Sequence, residues 1–425
     1  MIRPAATIKI SRIISAFLIM ALLYHKAWFC QRKTRKIMQD RDFDLWYNQN
    51  MFKKKIRKLN ILLLTAIMAL ALCLSGCDTG GEMWNGYSKE SFYFDTICEI
   101  TIYSLEEGTV EGDSEEAFND TANLVITDTF KLMSEYENTL SRTVEGSDVD
   151  RINKAGGKST AAGEDTLEVI EKGIEFGDVS GGVFDITVGK ASDLWDFHES
   201  LEEGGTEVPS EDALKEAAAH IDYTEVTVDE TAGTVRLRDP EMMLDLGGIA
   251  KGYIADRTAE YLRSRGVTSG IVNLGGNIEV IGGKSTSFDN GDGEQYNFNL
   301  GIRDPLNESG GLLGIYPGKD ITIVTSGTYE RFIEVDGVKY HHILDPKTGW
   351  PVDTDVLQVS IIAGAGHSVD CDGLSTACLA LGSEEGTKLI RKLAEEGKYG
   401  PVEAIFVTES GEVIYTNEDT AFDKY

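Results

Sequence analysis

The most informative segment of this chain is LDLGGIAKGYIAD, residues 244–256. An apolar run that contains Asp245 ends at Gly247 and Gly248, and a helical pattern follows with Lys251 in its first turn. Two adjacent glycines let a backbone approach a ligand closely and present its amide and carbonyl groups. The segment matches neither G-x-x-x-x-G-K-[ST] nor a complete G-x-G-x-x-G, so neither common nucleotide-binding turn is predicted. The segment is therefore either a ligand-binding turn of another kind or only a tight strand–helix turn with a solvated lysine.

Composition argues against one class of function. The chain has 425 residues, of which 41% are hydrophobic, and a formal net charge of −31. This length accommodates one large domain or two smaller ones. Because an acidic surface repels phosphate backbones, nucleic acid is not a predicted partner. An anionic substrate would need a cation or a helix N-terminus to bind. The six cysteines form no C-x-x-C pair, so no zinc cluster is predicted.

The N-terminal region has the composition of an export signal. Residues 51–77 contain a basic segment, then the apolar stretch Leu59–Leu74, and they end in LSGC at Cys77. This order is typical of a signal peptide. Because LSGC resembles a bacterial lipobox, we expect Cys77 to carry a lipid and to anchor the protein on the extracytoplasmic side of the cell membrane. A short transmembrane anchor is the alternative interpretation.

Four parts are predicted along the chain. Residues 1–50 are an upstream extension or an additional membrane segment, residues 51–76 a lipoprotein signal peptide, residues 77–90 a tether, and residues 91–425 one large domain. Residues 1–76 hold 14 of the 40 Lys and Arg residues but only 3 of the 71 Asp and Glu residues. The exported part is therefore more acidic than the whole chain.

Hydrophobic patterns predict an α+β fold. Strands are predicted at Phe92–Ser104 and Val356–Gly364, and two strands with a turn within Asp320–Val352. Helices are predicted from about Ile249 to Arg265 and at Ser368–Leu381. Strands and helices mix without a regular βαβ order, and hairpins are frequent. We therefore expect mixed or antiparallel sheets with packed helices in a single large domain, rather than a doubly wound sheet.

A second group of candidate site residues lies in VDCDGLSTACLALG, residues 369–382. Asp372 and Thr376 are four residues apart and share one face of the predicted helix, with Ser375 beside them. A carboxylate and a hydroxyl, completed by a backbone carbonyl and substrate phosphate oxygens, suit Mg²⁺. Alternatively, Asp372 is a first-turn residue favoured by the helix dipole, and Thr376 packs in the core.

Two adjacent histidines form a third candidate, in TSGTYERFIEVDGVKYHHILDPKTGWP, residues 325–351. Successive strand residues face opposite sides of a sheet, so only one of His341 and His342 is expected to point inward. A histidine can act as a general base near neutral pH. Either histidine could instead be a half-buried hydrogen-bonding residue.

A fourth candidate is SGGVFDITVGKASDLWDF, residues 180–197. A glycine pair, Phe184 and an acidic residue lead into a predicted strand. Phe184 could stack on a flat ring, or it could belong to the hydrophobic core, and composition alone favours the core.

Together with FDT at residues 94–96 and VNLGGNI at residues 272–278, these four segments resemble, in order, the FAD:protein FMN transferase family of ApbE-like flavin transferases. The resemblance covers about residues 90–420. It implies an Mg²⁺-dependent reaction in which FAD is cleaved at its pyrophosphate, FMN passes to a Thr or Ser hydroxyl of an acceptor flavoprotein, and AMP leaves. A lipoprotein signal is also common in this family.

The resemblance assigns roles to individual residues. Asp372 and Thr376 would bind Mg²⁺ through their side chains and Gly248 through its carbonyl, with Ser375 at a neighbouring position. His342 and Lys251 are the implied catalytic residues, His342 as the base and Lys251 also as an FAD contact. Further FAD contacts are implied at Phe94, Tyr136, Val183, Phe184, Asp185, Asp245 and Leu344. Phe94 departs from the family's common methionine.

The implied partners are FAD and an exported or membrane acceptor protein, such as a subunit of a redox pump or an electron-transfer protein. Two alternatives stay open. In the first, water replaces the acceptor hydroxyl and the protein is an FAD pyrophosphatase that yields FMN and AMP. In the second, the protein is a non-catalytic flavin-binding lipoprotein.

Overall fold

The computed structural model describes residues 85–112, 114–197, 207–286, 295–307 and 309–425. These residues belong to one compact unit, Met83–Tyr425. The predicted signal segments and Cys77 lie outside the described residues. In the part of the chain that is described, no helix has the length and apolar character needed to cross a membrane.

Short strands dominate the described residues. In chain order they are β1 (Tyr87–Tyr93), β2 (Thr96–Leu105), β3 (Thr160–Ala161), β4 (Val226–Asp229), β5 (Thr234–Leu237), β6 (Val267–Leu274), β7 (Asn277–Ile281), β8 (Lys284–Ser285), β9 (Gln295–Tyr296), β10 (Phe298–Arg303), β11 (Leu312–Gly318), β12 (Ile321–Gly327), β13 (Phe332–Val335), β14 (Val338–His341), β15 (Val356–Gly364), β16 (Glu403–Thr408), β17 (Val413–Tyr415) and β18 (Asp423–Lys424).

Helices lie between these strands. They are α1 (Glu115–Leu140), α2 (Asp148–Asn153), α3 (Glu164–Ser180), α4 (Gly189–Trp195), α5 (Glu211–Ala218), α6 (Ala250–Ser264) and α7 (Ser368–Glu396), with a 3₁₀ turn at Tyr223–Glu225. The glycines of the segment 244–256 therefore lead directly into α6.

An eight-stranded sheet in the order β1-β2-β6-β7-β12-β15-β16-β17 forms the centre of the fold. Every neighbouring pair in it is antiparallel. Smaller sheets consist of β10-β11-β18, β3-β5-β4, β13-β14 and β8-β9. This architecture confirms the predicted α+β class with antiparallel sheets.

Alternation along the strands gives the central sheet two apolar faces. In β16, Ala404 and Phe406 belong to one core, and Ile405 and Val407 belong to another, as expected when successive side chains point to opposite faces. The first core includes residues of α1, α3, α6 and α7, and the second includes residues of β10 and β11. Helices therefore cover one face of the sheet and a small sheet covers the other.

A third, smaller core supports the hairpin β13–β14. It contains Trp195 of α4, Leu214 of α5 and Ile333 of β13, together with Leu344. The Trp195 indole N–H donates to the Gly349 carbonyl at 2.7 Å. This core holds the end of the hairpin, where the two histidines lie.

The predicted strand Phe92–Ser104 was wrong in one respect, because the structure divides it into β1 and β2. Phe94 and Asp95 have φ values of 53° and 56° and reverse the chain between the two strands. The Phe94 backbone N–H donates to Glu137 Oε1 of α1 at 2.6 Å. A tertiary contact with α1 therefore accompanies the turn. β1 also begins at Tyr87, inside the segment predicted as a tether.

Three other boundaries differ from the predictions. The strand expected after Phe184 does not form, because the Asp185 side chain accepts hydrogen bonds from Thr187 and stabilises a local turn before α4. Asp320–Val352 holds β12, β13 and β14 rather than two strands. The helix predicted to end at Leu381 is followed by a second helical segment to Glu396, with Gly382 non-helical at the junction.

Helices α6 and α7 approach each other closely at Gly252. A Cβ at this position would lie 2.3 Å from the Ser368 carbonyl oxygen and 2.7 Å from the Asp372 Cβ. One turn further along α6, the Asp256 carboxylate accepts hydrogen bonds from the N–H groups of Ser368 and Val369, both at 2.9 Å, and so caps α7. The segment 244–256 therefore sets the position of the N-terminal end of α7.

We expect Gly252→Ala to destabilise the folded domain. Inserting an extra carbon into a well-packed core typically costs about 1–3 kcal/mol of folding free energy. The higher helix propensity of alanine over glycine offsets at most about 1 kcal/mol of this cost. The overpacking cost should be larger here, because the atoms nearest the added methyl group include backbone, which cannot rotate away. Urea unfolding followed by circular dichroism measures the change in free energy of unfolding.

Gly364→Ala is the matched control, because a Cβ at Gly364 meets no atom within 4 Å and its φ is not positive. This variant should unfold close to the wild-type midpoint. If Gly252→Ala were as stable as the wild-type protein, the close α6–α7 packing described above would be incorrect.

Candidate active site

The glycine turn and the first turns of α7 meet at Gly248. The Thr376 hydroxyl donates to the Gly248 carbonyl oxygen at 3.4 Å. A Cβ at Gly248 would lie 3.3 Å from Thr376 Oγ1 and 3.1 Å from the Phe184 ring. Three segments that are far apart in the sequence therefore converge, and glycine leaves the Gly248 carbonyl accessible between them.

Asp372 supplies a buried carboxylate one helical turn before Thr376 in α7. Its side chain is 3% exposed, and its Oδ2 accepts a hydrogen bond from the Gly252 N–H at 2.8 Å. Burial raises the pKa of the Asp372 carboxyl, while Lys251, the Gly252 N–H and Asn277 lower it. Asn277 lies beside the carboxylate, yet its Nδ2 has no partner with hydrogen-bond geometry among the described residues. A carboxylate ionised at this depth requires nearby positive charge.

Ser375 has a different role from Asp372 and Thr376, because its hydroxyl bonds within the protein core. Its hydroxyl donates to the Asp372 carbonyl at 2.9 Å and lies 2.8 Å from the Ser326 hydroxyl of β12. The side chain is fully buried. The Ser375 hydroxyl therefore connects α7 to the central sheet.

The oxygen atoms of Gly248, Asp372 and Thr376 form a donor set that fits Mg²⁺. All three are hard oxygen ligands, which this ion prefers. Among the described residues, no group of three or more His, Cys, Asp or Glu side chains could hold a metal ion. The site therefore provides one carboxylate, one hydroxyl and one carbonyl. Such a set suits an ion that completes its shell with water and phosphate oxygens.

Among the described residues, only one ring nitrogen of His342 has a hydrogen-bond partner. Its Nδ1 lies 3.0 Å from the Arg331 carbonyl oxygen, and because a carbonyl can only accept, Nδ1 carries the proton. In the neutral ring, Nε2 then keeps its lone pair. Burial, together with the nearby charges of Arg331 and Lys251, lowers the pKa of His342 to about 3. The ring is therefore neutral near pH 7.

His341 has both ring nitrogens occupied. Nε2 donates to the Val352 carbonyl at 3.2 Å, and Nδ1 accepts from the Ile343 N–H at 3.3 Å. Both contacts lie within the turn that follows β14. The structure therefore gives the two histidines different surroundings, and of the two only His342 has a ring nitrogen without a hydrogen-bond partner among the described residues.

The aromatic residues predicted to contact FAD lie around this region. Phe94 occupies the β1–β2 turn, and its carbonyl lies 3.5 Å from the Arg331 guanidinium. Phe184 is 4% exposed and packs edge-to-face on Phe176 at 6.3 Å. Tyr136 of α1 packs edge-to-face on a tyrosine of α6 at 6.2 Å. Phe184 is therefore a core residue that also borders Gly248.

The remaining predicted contacts already have partners within the protein. Asp185 accepts hydrogen bonds from Thr187 and from a second backbone N–H. Asp245 accepts from the Arg142 guanidinium at 3.0 Å and from the Gly247 N–H at 2.9 Å. Leu344 is buried in the third core and Val183 is half-buried. The two carboxylates therefore stabilise the loops that carry these residues.

Sequence reasoning missed three charged residues of the cleft. No local sequence pattern predicts the ion pair between Arg142 and Asp245, because the two residues are 103 positions apart in the sequence. Glu330 and Arg331 lie inside the TSGTYERF segment that was singled out for its histidines. The only available signal was the presence of two charged residues immediately before the apolar strand that begins at Phe332.

Comparison with known protein families gives one matching family. The family model described as the ApbE family matches residues 94–399. This chain is 32% identical over 347 residues to an FAD:protein FMN transferase of Treponema pallidum (strain Nichols), covering 80% of this chain and 90% of that protein. It is 33% identical over 291 residues to an FAD:protein FMN transferase of Klebsiella pneumoniae (strain 342), covering 68% and 83%.

Solved structures with a similar fold carry related names. The ApbE protein of Thermotoga maritima superimposes with a TM-score of 0.65 at 29% identity, covering 77% of this chain and 96% of that one. The flavin transferase ApbE of Vibrio cholerae superimposes with a TM-score of 0.62 at 25% identity, covering 80% and 96%.

Proposed function

Since the chain belongs to the ApbE family and is thereby an FAD:protein FMN transferase, we propose that its reaction requires Mg²⁺, releases AMP and joins FMN to a Thr or Ser hydroxyl of an exported or membrane acceptor flavoprotein. The observation that supports this proposal is the junction of the glycine turn with α7, where the Thr376 hydroxyl bonds to the Gly248 carbonyl and the Gly252 N–H bonds to Asp372. A single buried carboxylate with a hydroxyl and a carbonyl suits a metal ion that shares phosphate oxygens.

In this proposal, different residues of the chain bind the metal ion and the pyrophosphate. Gly248, Asp372 and Thr376 would hold Mg²⁺, which when bound neutralises charge on the pyrophosphate oxygens. Lys251 lies three residues after Gly248, in the first turn of α6. Its side chain has no hydrogen bond or ion pair with another described residue. Its ammonium group is therefore available to the same anion. Phosphoryl transfer depends on such charge neutralisation and on alignment of the nucleophile.

His342 would move the proton. The acceptor hydroxyl oxygen forms a bond to the phosphorus of the FMN half, the bond from that phosphorus to the bridging oxygen breaks, and AMP leaves with the bridging oxygen. The hydroxyl proton would pass to His342 Nε2, which keeps its lone pair because Nδ1–H donates to the Arg331 carbonyl. The low pKa makes free His342 a weak base, and the negative charge of bound FAD would raise that pKa.

A transfer assay tests this proposal against hydrolysis. Purified protein is incubated with FAD, Mg²⁺ and a flavin-acceptor domain. In-gel fluorescence then detects FMN on the acceptor, and chromatography detects free FMN. We expect labelled acceptor. Free FMN without label would indicate an FAD pyrophosphatase, and binding of FAD without either product would indicate a non-catalytic flavin-binding lipoprotein.

For location, we expect Cys77 to be the lipidated N-terminal residue of the mature protein. The support is the LSGC sequence after a basic and apolar segment, which lies outside the described residues. Mass spectrometry of the membrane-extracted protein should find a diacylglyceryl group on Cys77. Cys77→Ser should leave the protein unlipidated. A mature chain that begins before Met51 would contradict this expectation.

A further inference from the structure

The segment 244–256 and α7 are joined by hydrogen bonds at three levels, four residues apart in the sequence. The pairs are Gly248 with Thr376, Gly252 with Asp372, and Asp256 with Ser368 and Val369. Each step forward in the segment matches an equal step back in α7, so α6 and α7 run antiparallel here. Because four residues span about one turn and 6 Å of an α-helix, the bonds form one row that ends at the proposed metal site.

Two of the three levels use the proposed metal-binding groups themselves. The Thr376 hydroxyl donates to the Gly248 carbonyl at 3.4 Å, and both oxygen atoms are proposed ligands of Mg²⁺. The Asp372 carboxylate, the charged ligand, accepts from the Gly252 N–H at 2.8 Å. Neither of these two contacts is therefore independent of the metal ion.

Asp256 makes the contact at the third level, and no proposed metal ligand takes part in it. Its Oδ1 accepts from the Ser368 N–H and its Oδ2 from the Val369 N–H, both at 2.9 Å. The carboxylate is buried and lies at the N-terminal end of α7, where the helix dipole favours negative charge. Two bonds to adjacent N–H groups fix both the distance and the orientation of this end of α7 against α6.

The packing at the middle level gives hydrogen bonds a large part in this alignment. Gly252 has no side chain that could interlock with α7, and a Cβ there would lie 2.3 Å from the Ser368 carbonyl oxygen. Glu279 of β7 accepts from the Gly366 N–H at 2.9 Å, but this bond holds the loop before α7 and not the helix. The Asp256 carboxylate is therefore the group of α6 that holds the start of α7.

We propose that Asp256 is a positioning residue for the metal site, because it holds α7 at the place along α6 where Thr376 meets Gly248 and Asp372 meets Gly252. This inference rests on the proposed use of Gly248, Asp372 and Thr376 as Mg²⁺ ligands. Asp256 acts on the ion only through α7. Ligands that are already in place bind an ion more tightly, since no free energy is spent on arranging them.

The test is the binding of Mg²⁺ by Asp256→Asn, measured without FAD as the rise of the thermal unfolding midpoint with MgCl₂ concentration. Asparagine keeps the size of the side chain, but its amide nitrogen cannot accept, so one N–H group of α7 loses its partner. Substitution of groups that orient metal ligands typically weakens metal affinity by about 10–100-fold. Relative to the variant's own midpoint in EDTA, the rise should therefore require roughly tenfold more Mg²⁺ than in the wild-type protein.

Asp372→Ala supplies the baseline for this measurement. A chain with a net charge of −31 attracts Mg²⁺ without any specific site. The rise that remains when the charged ligand is absent measures this general effect and is subtracted from the other curves.

Asp355→Asn is the matched control, because it makes the same chemical change at the start of the second helical segment of α7. Asp355 accepts from the Ser383 N–H at 2.9 Å and from the Ser383 hydroxyl at 2.5 Å, just beyond the non-helical Gly382. This variant should unfold at a lower temperature than the wild-type protein and yet bind Mg²⁺ with the same affinity. It separates the loss of a helix cap from the loss of alignment at the metal site.

Asp256→Glu is a second variant at the same position. Glutamate keeps the charge but carries it one CH₂ group farther from the α6 backbone, so α7 cannot keep its place and Mg²⁺ binding should again weaken. Circular dichroism shows which of the two Asp256 variants fold, and the result rests on those that do.

The outcomes are distinguishable. Weaker Mg²⁺ binding by the Asp256 variants, with wild-type binding by Asp355→Asn, supports the inference. Wild-type binding by a folded Asp256 variant, or equal weakening by Asp355→Asn, overturns it and leaves the proposed function intact. If the wild-type curve does not exceed the Asp372→Ala baseline and FMN transfer persists in EDTA, the proposed metal site and this inference both fail.

Discussion

Asp372→Ala should abolish Mg²⁺-dependent FMN transfer while the domain stays folded. Asp372 is the one carboxylate of the donor set formed with Gly248 and Thr376. Removing a group that stabilises charge in a desolvated site typically costs roughly 10²–10³-fold in rate, and loss of the metal would add to this.

Asp372→Asn is the matched variant for this prediction. Asparagine retains an oxygen that can accept the hydrogen bond from the Gly252 N–H, but it lacks the charge. We therefore expect it to fold as the wild-type protein does and to lose turnover as Asp372→Ala does. Transfer rates measured across a range of Mg²⁺ concentrations, with circular dichroism of each variant, check both points. Wild-type turnover that is unaffected by EDTA would contradict the metal assignment.

His342→Ala should reduce FMN transfer by roughly 10²-fold or more, the usual scale of general base catalysis. FAD affinity should change little, because the free Nε2 is assigned to the acceptor hydroxyl and not to the cofactor. The measurement is a pair of curves for each variant, one for flavin binding by fluorescence and one for acceptor labelling over time.

His341→Ala is the control and should have a much smaller effect on labelling. Both ring nitrogens of His341 bond to the turn after β14, so the variant should lose stability rather than chemistry. If His341 were essential and His342 silent, the assignment of the free nitrogen would be wrong. If neither mattered, another group would deprotonate the hydroxyl.

Local sequence patterns predicted the regular elements near the site well. The helix expected from Ile249 to Arg265 is α6 (Ala250–Ser264), and the strand expected at Val356–Gly364 is β15. The division of Phe92–Ser104 into two strands could not be predicted, because a bulky aromatic residue such as Phe94 rarely adopts positive φ. The pattern continues through the turn, and the contact that accompanies it, from the Phe94 N–H to Glu137, is tertiary.

The sequence predicted those parts of the site that depend on the identity and spacing of side chains. Asp372 and Thr376 were visible through their spacing on one helix. The orientation of His342 was not, because its partner is the Arg331 backbone carbonyl, and every residue has such a group. The Arg142–Asp245 ion pair was likewise invisible, since Arg142 comes from a loop 103 residues away.

We propose that this site transfers FMN, with Mg²⁺, from FAD to a protein hydroxyl. The measurement that tests it most directly is the amount of AMP released against the amount of FMN attached to the acceptor, by chromatography and intact-protein mass spectrometry of the same reaction. We expect equal amounts with Mg²⁺ and neither product in EDTA. AMP released without attached FMN, or FMN attached at the same rate in EDTA, would contradict the account.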